Sequence, residues 1–63
     1  MRIYLNTFRA LAYALASGRT VWCAETGEGW QLGLASLRNA KDLANTLMRD
    51  EECATFFLMD GVK

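Results

Sequence analysis

The chain has 63 residues, with seven basic and seven acidic side chains, no histidine and no proline. This length allows one core, so we expect residues 1–63 to form a single small domain. A formal charge of zero excludes a strong general attraction to nucleic acid or to an anionic membrane. Hydrophobic residues make up 52% of the chain, a high share for so small a body, and this favours association with a partner.

No apolar run approaches the roughly 18 residues that a transmembrane helix needs. The apolar stretch near the start of the chain is interrupted by Asn6, Thr7 and Arg9, which is not typical of a signal peptide. We therefore predict a cytoplasmic protein without membrane attachment.

The first five residues, MRIYL, alternate between two faces, with Arg2 and Tyr4 on one of them. Such alternation predicts a short strand, although the segment can also extend the helix that follows.

An amphipathic helix is predicted over residues 7–17. Asn6 or Thr7 can cap its start, and Gly18 can end it in the left-handed conformation. The residues of its apolar face are spaced i, i+3, i+4 and i+7: Phe8, Leu11, Ala12 and Leu15.

A β-hairpin is predicted next, with strands over 20–26 and 29–34 joined by a type II′ turn at Gly27-Glu28. This register places Trp22 opposite Gly33, with room for the indole ring above the glycine. The core face of the hairpin then contains Val21, Cys23, Trp30, Leu32 and Leu34. The opposite face contains Trp22, Ala24, Gln31 and Gly33.

A second helix is predicted after Asn39 as its cap, ending near Arg49, where the acidic run 50–52 opposes the helix dipole. Its buried stripe is Ala40, Leu43, Ala44 and Leu47. The segment 53–59, CATFFLM, is too short for another helix and is followed by Asp60-Gly61, so it predicts a strand.

These elements predict an α+β fold, a two-layer sandwich with a small antiparallel sheet and two helices on one face. If residues 1–5 form a strand, the order is β-α-β-β-α-β, the ferredoxin-like pattern. If they do not, the order is α-β-β-α-β, with three strands.

Residues suited to catalysis or metal binding are sparse. Cys23 and Cys53 belong to no CxxC motif and no Cys/His cluster, so we predict no metal site, no cofactor and two buried free thiols in a reducing cytosol. Without histidine, acid–base catalysis would fall to carboxylates or to Cys23, which has no evident activating neighbour. We predict no catalytic residues and no enzymatic activity.

The strand at 53–59 is apolar on both faces, so at least one of Phe56 and Phe57 must join Trp22 on the helix-free side of the sheet, together with Tyr4 if residues 1–5 form a strand. An aromatic patch of this kind is too large to leave in water. The candidate interaction residues are Trp22, Tyr4, Phe56, Phe57 and Gln31. We predict a homodimer formed by these sheet faces, or a protein partner bound to the same patch.

The alternative is a small module that binds single-stranded nucleic acid, because RNA recognition motifs stack bases on aromatic residues of an open sheet. The basic-Gly-aromatic run of those domains is missing here, and Arg2 and Arg19 offer few phosphate contacts. In size and composition the chain resembles accessory proteins of phages and mobile elements. That resemblance implies a protein that binds and inhibits a host protein.

Overall fold

A computed structural model describes residues 1–33 and 36–59 of the chain. The elements follow the order β-α-β-β-α-β, so the predicted N-terminal strand exists and the α+β fold class is confirmed. The elements are β1 (Arg2–Tyr4), α1 (Phe8–Ala16), β2 (Val21–Cys23), β3 (Gly29–Trp30), α2 (Leu37–Met48) and β4 (Phe56–Met59).

The four strands form one sheet in the order β1-β4-β2-β3, with every neighbouring pair antiparallel. β4 therefore lies between β1 and β2, and among the described residues β1 and β3 form the edges. Phe56, Phe57 and Leu58 are all buried, which explains why this segment is apolar on both faces. The predicted stop at Asp60-Gly61 lies outside the described residues.

The core lies between the sheet and the two helices. Among the described residues no polar or charged side chain is buried. The buried cluster consists of Leu11, Ala12, Ala14, Leu15, Val21, Cys23, Ala40, Ala44, Leu47, Cys53, Phe56 and Leu58. Neither helix in the described part of the chain has the length and apolarity needed to span a membrane.

Both helices begin at a hydroxyl cap. Thr7 caps α1 by accepting the Ala10 N–H at 3.0 Å, and Gly18 follows that helix with φ +83°, as predicted. The predicted cap of α2, Asn39, is wrong. Ser36 is the cap, because its hydroxyl accepts the Asn39 N–H at 3.2 Å and so starts the helix at Leu37.

The predicted hairpin register is also wrong. Trp22 pairs with Gly29 and Val21 with Trp30, because the connection is longer than two residues. Gly27, with φ +80°, donates its N–H to the Cys23 carbonyl at 2.9 Å and closes a wider loop. The strands are correspondingly shorter than 20–26 and 29–34, and the predicted pairing of Leu34 lies outside the described residues.

Trp22 nevertheless lies over a glycine. A Cβ atom at Gly29 would lie 2.7 Å from the Cε3 and Cζ3 atoms of the Trp22 ring. The Cys23 N–H donates to the Glu28 carbonyl at 2.8 Å. Since hydrogen-bonded pairs alternate along an antiparallel ladder, Trp22 and Gly29 form a non-hydrogen-bonded pair, in which side chains approach most closely.

We expect Gly29→Ala to lower the free energy of unfolding by about 1–3 kcal/mol, because the new methyl group must displace the indole ring. Urea denaturation of both proteins measures the difference. The control is the same substitution in a Trp22→Ala background, where no ring remains to be displaced and the loss should be much smaller. An equal loss in both backgrounds would contradict the contact.

Candidate functional site

One cross-strand row carries aromatic side chains across the helix-free face of the sheet. Tyr4 on β1 pairs with Phe57 on β4, Phe57 pairs with Trp22 on β2, and Trp22 pairs with Gly29 on β3. Directly opposed residues of neighbouring strands point to the same face, so three aromatic residues stand side by side. The sheet thereby brings together residues that are distant in the sequence.

Phe57 forms the floor of this surface. Only 6% of it is exposed, because the Arg2 guanidinium lies 4.2 Å from its ring centroid and the Tyr4 ring lies 6.0 Å away at a tilt of 52°. Tyr4 is 50% exposed, Met59 is 49% exposed and Trp22 is half-buried. We call Arg2, Tyr4, Trp22, Phe57 and Met59 the aromatic face.

The structure separates two of the predicted residues from this surface. Phe56 points into the core, where its ring lies 6.0 Å from that of Trp30, because it alternates with Phe57 along β4. Gln31 lies beyond the end of β3, and its side-chain amide donates to the Gly18 carbonyl at 2.8 Å. Gln31 therefore ties the hairpin to the end of α1.

The structure adds two residues to the surface that sequence reasoning did not select. Met59 shares a face with Phe57, and Arg2 shares one with Tyr4, so the period-2 alternation already contained both signals. At this end of the sheet Arg19 donates from Nη2 to the Met59 carbonyl at 3.0 Å.

A second group of interacting side chains, apart from the aromatic face, lies just before β4. A disulfide joins Cys23 and Cys53, whose Cα atoms are 5.9 Å apart, so the prediction of two free thiols is wrong. The prediction failed because the strand order places β4 beside β2, which brings the two cysteines together in the core.

Glu25 reinforces the same junction. Its Oε1 accepts the N–H groups of Ala54 at 3.2 Å and Thr55 at 3.0 Å, and its Oε2 accepts the Thr55 hydroxyl at 2.9 Å. The hydrogen bond from the Thr55 hydroxyl is the largest cause that lowers the pKa of Glu25 below its ordinary value of 4.5. Desolvation opposes it, and the backbone N–H groups lower the pKa further. The carboxylate thus joins the loop after β2 to the segment before β4.

The sulfur atoms of Cys23 and Cys53 and a carboxylate oxygen of Glu25 lie within 4.8 Å of one another. These are atoms of the kind that bind zinc, but cysteine binds metal as a thiolate, and both sulfurs are held in the disulfide. In this form the cluster is a structural tie. No sequence pattern indicated the role of Glu25.

An open cleft of about 440 Å³ lies beside this junction, between the C-terminal end of α2 and the start of β4. Its acidic lining residues, Asp50 and Glu51, are exposed. Among the described residues no polar side chain is buried, in this cleft or elsewhere.

Comparison with known protein families, curated proteins and solved structures found no match to this chain.

Removing the disulfide by Cys23→Ala with Cys53→Ala should lower the free energy of unfolding by about 3.6 kcal/mol, the loop-closure value for a separation of 30 residues. Urea denaturation of both proteins measures this loss.

Alkylation without reductant should leave the wild-type mass unchanged, whereas alkylation after reduction should add two labels. Labelling of both cysteines without reductant would contradict the disulfide.

The lowered pKa of Glu25 gives stability a pH dependence of known sign. A carboxylate with a lower pKa in the folded state stabilises the protein above its ordinary pKa, and this contribution is lost as the pH falls from that value through the lower pKa of the folded state. Glu25→Gln should therefore be less stable than wild type at neutral pH, and the difference should shrink between about pH 5 and pH 3. Urea denaturation across that range measures the difference, and one that stays constant with pH would contradict the assignment.

Proposed function

We propose that this chain is a small non-enzymatic binding module that holds a protein partner on its aromatic face. The observation that carries the proposal is the cross-strand row Tyr4, Phe57 and Trp22, which together with Met59 keeps aromatic and thioether surface exposed on a side of the sheet that neither described helix covers.

The composition of the aromatic face supports a protein partner. Tyrosine, tryptophan, methionine and arginine are the residues enriched at protein–protein interfaces, and tyrosine, tryptophan and arginine dominate their binding energy. The face contains all four types. Its rings are already held in position by Gly29 beneath Trp22 and by Arg2 against Phe57, so binding would order few side chains.

Single-stranded nucleic acid is the second candidate, because exposed aromatic rings on a sheet can stack bases. The geometry of the aromatic face favours nucleic-acid binding less than protein binding. The Phe57 ring is covered by Arg2 and Tyr4, which leaves Tyr4 and Trp22 for stacking, and the chain carries no net charge to attract phosphates.

The partner that we propose is a host protein, which this chain would inhibit, as its size and composition suggest. A second copy of the chain bound to the same face would be another form of this protein binding. We also propose a cytoplasmic location. In that compartment, whether the Cys23–Cys53 disulfide forms would depend on the local redox conditions.

The chain offers a matched control for the aromatic face. Tyr4 and Met59 are 50% and 49% exposed, whereas Tyr13 on α1 and Met48 on α2 are 52% and 47% exposed. The face variant Tyr4→Ser with Met59→Ser and the control variant Tyr13→Ser with Met48→Ser therefore remove nearly equal exposed surface from different parts of the molecule.

We expect a protein captured by the wild type from a lysate to be captured equally by the control variant and at least tenfold less by the face variant. Titration with that protein, once purified, then gives the loss of affinity directly. Equal binding by both variants would refute the proposal.

A salt series with a labelled single-stranded oligonucleotide tests the second candidate, nucleic-acid binding, because affinity based on phosphate contacts falls steeply as salt rises.

A further inference from the structure

The outer edge of β1 has no neighbouring strand in the part of the chain that the structure describes. The Leu5 N–H donates to the Phe56 carbonyl at 2.9 Å, which fixes the direction of the backbone groups. The backbone N–H and C=O groups of successive residues point to opposite sides of an antiparallel strand. Those of Ile3 and Leu5 therefore point toward β4, whereas those of Arg2 and Tyr4 point outward, away from the sheet.

Exposed apolar side chains are concentrated along the same edge. Six large hydrophobic residues of the described chain are exposed, and four of them are Met1, Ile3, Tyr4 and Met59. Three belong to β1 or directly precede it, and the fourth pairs with Arg2. An exposed edge strand with apolar side chains is a template for pairing with another strand.

We propose that a second copy of this chain pairs with β1 through its own β1, antiparallel, around a two-fold axis at Ile3. In this register Arg2 of each copy lies opposite Tyr4 of the other. All the outward N–H and C=O groups of both residues are then used, which gives four hydrogen bonds between the copies.

The charges of β1 select this register. With the axis at Ile3, each guanidinium meets a tyrosine ring on the same face, which is a favourable cation–π arrangement. An axis at Arg2 would place two guanidinium groups opposite each other, and like charges directly opposite are destabilising. An axis at Tyr4 would place Arg2 opposite Asn6, which lies outside β1.

The pairing would join two four-stranded sheets into one of eight strands and bury the exposed side of Ile3, 37% of which is accessible in the single chain. It would join the two aromatic faces at Arg2 and Tyr4 and leave Trp22, two strands away from this edge, uncovered. The inference does not depend on the proposed function, because a protein partner could bind with or without the edge pairing, and each can fail alone.

Cysteine cross-linking tests the register. In Ile3→Cys the paired Cα atoms should lie about 4.5 Å apart, within the range of a disulfide. In the control Tyr4→Cys they should lie roughly 8 Å apart, because the two positions are offset by two residues along the strands. We expect at least tenfold more covalent dimer from Ile3→Cys, with peptide mapping showing the Cys23–Cys53 disulfide intact. Equal yields, or no dimer from Ile3→Cys, would overturn the proposal.

Sedimentation tests the edge itself. The wild type should form a dimer whose fraction rises with concentration. Arg2→Pro removes an outward N–H without removing a bond to β4, so it should sediment as a monomer with an unchanged circular dichroism spectrum. Arg2→Ala keeps that N–H and should retain part of the dimer. A wild type that is monomeric at hundreds of micromolar, or a dimer unaffected by Arg2→Pro, would overturn the proposal.

Discussion

The insertion of β4 between β1 and β2 is the constraint on which the rest of the structure depends. β4 pairs with β1 on one side and with the hairpin on the other, so the sheet cannot be completed before this strand is in place. Its alternate side chains supply both layers: Phe56 and Leu58 enter the core, and Phe57 forms the floor of the aromatic face. Such a strand must be apolar on both sides, because both are covered.

The junction at the start of β4 holds this arrangement in place. The Cys23–Cys53 disulfide works through the entropy of the unfolded chain, whereas Glu25 works through hydrogen bonds in the folded state. Both connect the end of β2 to the segment that leads into β4. A small core gives a domain of this size little stability to spare, so two ties at the point where distant segments meet are physically reasonable.

The side chains of the aromatic face are partly exposed to solvent and yet held in fixed positions. Trp22 rests on Gly29 and Phe57 lies beneath Arg2 and Tyr4, so each ring is positioned by a neighbour on another strand. A surface positioned in this way can bind with little loss of side-chain entropy. The two edges of the sheet differ as well: β3 has two residues and offers little to pair with, whereas β1 is longer and carries exposed apolar side chains.

Local periodicity in the sequence by itself determined that there are two helices, a hairpin and a strand near residue 57, and it left residues 1–5 open between a strand and an extension of the first helix. The hairpin register was wrong by four residues at Trp22, yet Val21, Cys23 and Trp30 stayed on the core face and Trp22 on the opposite one, because an even shift preserves a period of two. Only the tertiary structure decided which phenylalanine joins the core, that Cys23 meets Cys53, and that Glu25 binds Ala54 and Thr55. Those outcomes follow from the strand order, which is set by packing between segments about 30 residues apart, and no local pattern records such contacts.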